Sequence, residues 1–273
     1  NSDVGVLVVG GGPAGLECAL ALGQRGYRVI LAEASAELGG RVSRESRLPG
    51  LAEWGRVRDY RVLMLERLAN VTIYRENPLS PDEIFEFSAE DQFDYSHVML
   101  ANGSSWRRNG LGRIHRNPIP GLDKLKVFPP DDIMDGVLAK GRVVVFDDDH
   151  FYMGGVLAEK LRREGHDVLL VTPAPDISTW THKTLEQRKI QKQLMDLGVE
   201  LATQTNLTAA ETGKVELSCI FTERKIEKEC DSLLLVTERI PNDGLFNSLN
   251  GDPERLTNAG IKTLKCIGDS FAP

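Results

Sequence analysis

The residues best equipped for chemistry stand together near the amino end. Gly10-Gly11-Gly12-Pro13-Ala14-Gly15 follows the valine-rich run Val4 to Val9, and Glu33 closes a second apolar run, Arg28 to Ala32, 18 residues after Gly15. That combination binds a diphosphate and the ribose beside it. Gly10 permits a tight turn out of the first strand, Gly12 lets a pyrophosphate approach the backbone, and Gly15 lets the next helix pack hard against the sheet. Pro13 and Ala14 open that helix, whose unpaired N–H groups present about half a positive charge to the phosphates. Glu33, with Ala34 behind it, is placed to accept hydrogen bonds from ribose hydroxyls and to repel a 2′-phosphate. The chemistry implied is the binding of a dinucleotide or another adenine nucleotide. The competing reading of the same residues is a glycine turn needed only for packing.

Leu38-Gly39-Gly40-Arg41 extends Glu33 into the pattern E-x-x-x-x-L-G-G-R. This pattern resembles the flavoprotein disulfide-reductase and amine-oxidase superfamily, in which the glycine pair and the basic residue lie along the FAD diphosphate and ribose. The resemblance implies Gly40 and Arg41 as cofactor contacts, with Arg41 offering charge-assisted hydrogen bonds to phosphate. It also implies contacts from Ala101-Asn102-Gly103, which ends the run begun at His97, and from Gly268-Asp269, which ends the run begun at Leu264. Asn102 stands where the superfamily carries threonine.

No residue in the chain is assigned a catalytic role. Ser43, Ser46 and Ser270 lack the G-x-S-x-G setting of a hydrolase nucleophile, and the five histidines are dispersed. Cys18, Cys219, Cys230 and Cys266 form no C-x-x-C pair, so no metal centre is expected, and their scatter suits a reducing cytoplasm.

Such residues need a parallel sheet to hold them. Val4–Val9, Arg28–Ala32, His97–Leu100 and Leu264–Ile267 read as its strands. A second βαβ unit follows, with strand Arg142–Phe146, helix Gly154–Arg163 and strand Asp167–Val171. Its turn, Asp147 to Gly155, has no G-x-G-x-x-G and sets three consecutive carboxylates where phosphates would dock. The expected fold is α/β: two Rossmann-like three-layer domains of the FAD/NAD(P)-binding type, the second inserted in the first. The boundaries are placed at 1–123 and 232–273 for the nucleotide-binding domain and at 124–231 for the degenerate one, so Ser232–Thr237 counts as a strand of the first. Thr181–Met195 reads as one amphipathic helix with Leu185, Ile190 and Leu194 on one side, and Glu223–Glu229 as a solvated hairpin or strand edge.

Taken with Leu48-Pro49-Gly50-Leu51-Ala52-Glu53-Trp54, Arg58-Asp59-Tyr60 and Pro118-Ile119-Pro120-Gly121, this arrangement resembles the C-terminal portion of the trimethylamine dehydrogenase and histamine dehydrogenase family over nearly the whole chain. The resemblance implies a parent enzyme that begins with an Old-yellow-enzyme-like barrel carrying FMN and a cysteine-ligated 4Fe–4S cluster. This chain would then be the excised part that holds ADP or FAD, inactive by itself. It would be partnered by the missing barrel, by an acceptor of the electron-transferring flavoprotein type and, in full length, by copies of itself. The family's amine dehydrogenases hold ADP here, whereas its reductases hold FAD and accept NADPH. An FAD-dependent NAD(P)H oxidoreductase and a non-catalytic docking module remain the alternatives.

The composition narrows the field further. Of 273 residues 41% are hydrophobic, and 33 Lys and Arg against 40 Asp and Glu leave a net charge of −7. This is a soluble globular composition with ample chain for a core, and its charge repels nucleic-acid phosphates. No apolar run reaches the roughly 18 residues of a membrane span, and no secretory leader opens the chain, so the cytoplasm is the expected location.

Overall fold

A computed structural model describes residues 4–89 and 95–273. In chain order the elements are β1 (Gly5–Val9), α1 (Pro13–Gln24), β2 (Arg28–Ala32), α2 (Arg41–Glu45), α3 (Gly55–Leu65), β3 (Val71–Tyr74), α4 (Pro81–Ala89), β4 (Tyr95–Leu100) and β5 (Ser104–Trp106). They continue with β6 (Lys126–Phe128), α5 (Pro130–Met134), β7 (Arg142–Asp147), α6 (Met153–Arg163), β8 (Asp167–Val171), α7 (Gln187–Asp196) and β9 (Glu200–Ala202). The last are β10 (Thr205–Glu211), β11 (Lys214–Cys219), β12 (Lys225–Glu229), β13 (Ser232–Val236), β14 (Arg239–Pro241), α8 (Gly244–Asn250), α9 (Pro253–Asn258) and β15 (Thr263–Cys266).

The chain divides into two units. Unit 1 comprises residues 1–47, 51–105 and 240–273, and unit 2 comprises residues 48–50 and 106–239. Unit 1 is built on a parallel sheet of order β15-β4-β1-β2-β3. Every residue of β1 is buried, as a central parallel strand covered on both faces requires. Val6 and Val8 pack with Leu16, Ala19 and Leu20 of α1 and Leu65 of α3 on one face. Leu7 and Val9 pack with Ile84, Phe85, Leu249 and Ile261 on the other. The result is three layers. Helix α1 begins where Pro13, which has no N–H to lose, follows Gly12, and it ends at Gly26, whose φ of +86° suits only glycine.

Unit 2 has a parallel sheet of order β6-β13-β7-β8-β9 and an antiparallel meander β10-β11-β12. Val144, Phe146, Leu169, Leu233 and Leu235 of the sheet close over Leu207, Val215 and Leu217 of the meander. On the other side lies α6, which packs against β7 and β8.

The predicted α/β fold, with one three-layer unit nested in the other, is present, but the boundaries lie elsewhere. Ser232–Val236, assigned from sequence to the nucleotide-binding domain, pairs in parallel with Arg142–Asp147 and Lys126–Phe128, so it is the centre of the second sheet. Residues 106–123 also belong to unit 2, where Ile119 is buried in the core under the meander. An apolar strand carries no mark of the sheet it joins, and here long-range pairing decided it. The helix expected over Thr181–Met195 is broken as well. A short 3-10 helix, Thr179–Thr184, stops at Leu185, which has φ +62° and is 92% exposed, and α7 begins after it. Ile190 and Leu194 keep the apolar side without Leu185. Lys225–Glu229 forms the edge of the meander, as its alternating charges suggested.

Candidate nucleotide-binding site

The predicted site residues of the amino-terminal motif converge at the carboxyl ends of β1, β2 and β4. Gly10 has φ +104°, and a Cβ on it would lie 2.4 Å from the Ala101 carbonyl oxygen. A Cβ on Gly15 would lie 1.8 Å from the Gly10 carbonyl oxygen. These two positions are glycine because the backbone passes too close for anything else. Gly12 differs. Its φ of −72° and ψ of −178° suit any residue, and a Cβ built there meets nothing within 4 Å. The space in front of Gly12 is open, at the amino end of a 12-residue helix that no side chain caps. A diphosphate fits that opening: it would accept from the uncapped N–H groups and lie in the favourable field of the helix dipole.

Glu33 follows β2 and closes the site on one side. The Gly11 N–H donates to its Oε2 at 2.6 Å, and the Ser35 N–H and hydroxyl donate to its Oε1 at 2.8 and 2.7 Å. The carboxylate expected to hold ribose is therefore already tied to the phosphate loop. Ala34 is exposed beside it.

The L-G-G-R segment folds against the same loop. The Gly39 N–H donates to the Gly11 carbonyl at 2.8 Å, and a Cβ on Gly40 would come within 3.2 Å of the Gly12 Cα. Arg41 opens α2, with Nη2 donating to the Ser104 carbonyl at 2.9 Å and Nη1 lying 3.9 Å from Glu45 Oε1. The guanidinium is thus held beside the loop by groups that fix its direction.

Ala101, Asn102 and Gly103 lead out of β4. The Ala101 N–H donates to the Val9 carbonyl at 2.7 Å, and Asn102 Oδ1 is buried with no hydrogen-bond partner among the described residues. Gly268 has φ +63° and packs on Ala14, where its Cβ would lie 2.5 Å away. Asp269 then accepts from the Ser104 hydroxyl at 3.2 Å. All 14 predicted positions, whose side chains and backbones come from five separate stretches of sequence, therefore belong to unit 1 and adjoin the ends of its central strands or the start of α1.

Sequence reasoning missed three residues here. Ser35 anchors Glu33, Ser104 joins Arg41 to Asp269, and Asn242 donates from Nδ2 to the Asn102 carbonyl at 3.0 Å. A serine two places after a strand-ending acid is a local signal that could have revealed Ser35. Ser104 and Asn242 act across 63 to 165 residues of chain and leave no such signal.

The matching position in unit 2 is filled by the protein itself. Asp147 ends β7, and its Oδ1 accepts from the N–H groups of Asp149 and His150 at 3.1 and 3.0 Å. A Cβ on Gly154, in the first turn of α6, would lie 2.5 Å from the Asp147 Cγ, so the carboxylate rests where a phosphate would. Desolvation, and secondarily Asp149, pushes the Asp147 carboxyl up to about 7, against the opposing pull of His150 and the two backbone hydrogen bonds. Asp148 turns away and accepts from the Ile114 and His115 N–H groups at 3.0 and 2.8 Å, while His150 Nε2 lies 2.9 Å from its Oδ1. Arg113 pairs with Asp149 at 3.1 Å and covers the Trp180 ring at 4.3 Å. The residues present do not fit a nicotinamide dinucleotide.

Residues 5–78 match the family described as FAD dependent oxidoreductase, and residues 128–232 match the OYE-like second alpha/beta domain. Dimethylamine dehydrogenase from Hyphomicrobium sp. (strain x) is 34% identical over 100% of this chain and 40% of its own length. The structure of histamine dehydrogenase from Rhizobium sp. 4-9 superposes with a TM-score of 0.95 at 44% identity, covering 100% of this chain and 42% of that one. The chain belongs to the trimethylamine and histamine dehydrogenase family. A further family structure, the 6-hydroxypseudooxynicotine amine oxidase from Pseudomonas geniculata N1, gives 0.94 at 40% identity, over 100% of this chain and 40% of that one. The chain spans about two fifths of the length of these relatives and matches their C-terminal part. Over its full length the chain is homologous to amine dehydrogenases, and the match to the FAD dependent oxidoreductase family falls on its amino-terminal motif. No helix among the described residues is long and apolar enough to cross a membrane.

Proposed function

We propose that this chain is the adenine-nucleotide-binding region of an iron–sulfur flavoprotein amine dehydrogenase, and that it holds ADP or the ADP half of FAD. The observation that carries the reading is the open space before Gly12, at an uncapped helix end beside Glu33, on a chain 44% identical to a histamine dehydrogenase. Gly12 and the first turn of α1 would hold the diphosphate, Glu33 the ribose, and Arg41 would balance phosphate charge from the side. FAD, when bound, supplies a two-electron carrier, whereas ADP supplies none and serves architecture alone.

The parent would oxidise a small amine at FMN and pass electrons through a 4Fe–4S cluster to a protein acceptor of the electron-transferring flavoprotein type. Those redox groups would lie in the barrel that the relatives' additional length provides, and the parent would associate with copies of itself. On this reading the chain alone has no amine dehydrogenase activity. The four free cysteines fit a reducing cytoplasm. An NAD(P)H-linked oxidoreductase gains no support from unit 2, whose phosphate position is taken by Asp147. Mass spectrometry of the small molecule released on denaturation tests the proposal. ADP or FAD supports it; the absence of any adenine nucleotide, or turnover of an amine by this chain alone, overturns it.

A further inference from the structure

Glu33 is a half-buried carboxylate, and both of its oxygens are engaged within the protein. Oε2 is held by the Gly11 N–H at 2.6 Å, and Oε1 is held by the Ser35 N–H at 2.8 Å and the Ser35 hydroxyl at 2.7 Å. The Ser35 hydroxyl is also 2.8 Å from the Glu37 carbonyl oxygen. It has one proton and two acceptors within reach, so it keeps a partner when another donor arrives at Oε1. A carboxylate clamped from both sides has its rotamer chosen before any ligand enters, and the ordering cost falls on folding instead of binding.

From this we infer that Ser35 is a positioning residue for ribose recognition: it fixes the Glu33 carboxylate for a ribose diol and moves its own hydrogen bond to the Glu37 carbonyl as the diol docks. The inference rests on the reading of this site as one for an adenosine diphosphate. It assigns the preference for ribose over deoxyribose to two residues, one of which never touches the ligand. Ser35 lies in an exposed turn, and its backbone N–H contact to Glu33 survives any side-chain change, so the variants fold.

The test is calorimetric titration of the protein with ADP and with 2′,3′-dideoxy-ADP. Wild type is expected to bind ADP at least tenfold more tightly than the dideoxy probe, since the diol is the group Glu33 serves. Ser35→Ala is expected to narrow that ratio about three- to tenfold, the net worth of one ordinary hydrogen bond, while leaving affinity for the dideoxy probe within about twofold. Ser35→Thr, which keeps the hydroxyl, is expected to restore the wild-type ratio. An unchanged ratio in Ser35→Ala, or an equal loss for both probes, overturns the inference and leaves the site reading intact. Wild type that binds neither probe brings down the site reading, and the inference with it.

Discussion

Replacing Gly12 by valine separates binding from folding at a single atom. The backbone at Gly12 lies at φ −72° and ψ −178°, which a valine adopts without strain, and a Cβ there meets nothing within 4 Å. Gly12 is the residue that caps α1, and a branched side chain at such a position costs about 0.5–1 kcal/mol. The ligand-free melting temperature should therefore fall by no more than a few degrees. Binding responds very differently, because the new side chain fills the volume a diphosphate needs. A ligand at about 1,000 times its dissociation constant stabilises the native state by about 4 kcal/mol. For a chain of this size that is about 10 °C in melting temperature. In Gly12→Val the ADP-induced rise should shrink to less than about 2 °C, equivalent to a loss of more than about 3 kcal/mol in ligand-linked stability. Differential scanning calorimetry with and without ADP measures both quantities in one experiment. Gly15→Ala is the control with the opposite pattern, since its Cβ would lie 1.8 Å from the Gly10 carbonyl oxygen and must lower the ligand-free melting temperature. A Gly12→Val variant that keeps the full ADP response would refute the placement of the diphosphate; one that fails to fold without ligand would refute the claim that the space is empty.

Glu33→Gln offers one acceptor and one donor to a position where donors approach both oxygens, so ADP affinity should drop at least tenfold by calorimetry, and an unchanged affinity would remove Glu33 from the site. Asp147, held up at about 7 against about 4 in an unfolded chain, keeps its proton in the native state across that interval. Stability should therefore fall as pH rises from about 4 to 7 and level off above. Asp147→Asn, neutral throughout, should match wild type near pH 4 and exceed it by up to about 4 kcal/mol at pH 8, as urea unfolding at the two pH values would show. Tyr95→Phe removes the hydroxyl that donates to the Ile84 carbonyl at 2.8 Å in a buried setting, and should cost about 1 kcal/mol in the same assay without altering ADP binding.

The readable part of this chain is the part whose function depends on neighbours in sequence. Gly15 and Glu33 are constrained by contacts made within one strand–turn–helix–strand stretch, whereas the close approach at Gly10 comes from the Ala101 carbonyl at the end of β4. Gly268 and Asp269 were recognised only because a family pattern pointed to them; their contacts, to Ala14 and Ser104, span most of the chain. Ser232–Val236 was read correctly as a strand and placed in the wrong unit, because a run of four apolar residues fits the centre of either parallel sheet. Leu185 fooled the helical pattern for a different reason. Nine residues at about 100° each put it on the side opposite Leu194, and the backbone turns left-handed there and sends the side chain into water. The replacement of a phosphate by the Asp147 carboxylate was half visible: the acids were evident, but not that Asp147 and Asp148 would find separate backbone donors.

The chain leaves unit 1 after residue 105 and returns at residue 240, and these two crossings lie on β5 and β14, which run side by side as a two-stranded ribbon. Such neighbouring ends are what a graft requires. A tight hairpin joining 106 to 239 would delete nearly all of the inner module, yet every strand of the first sheet and every glycine of the phosphate loop would stay covalently in place. The nucleotide-holding half can thus be treated as a host, and the inner half as a guest that protein engineers, or evolution, could exchange without redrawing the host.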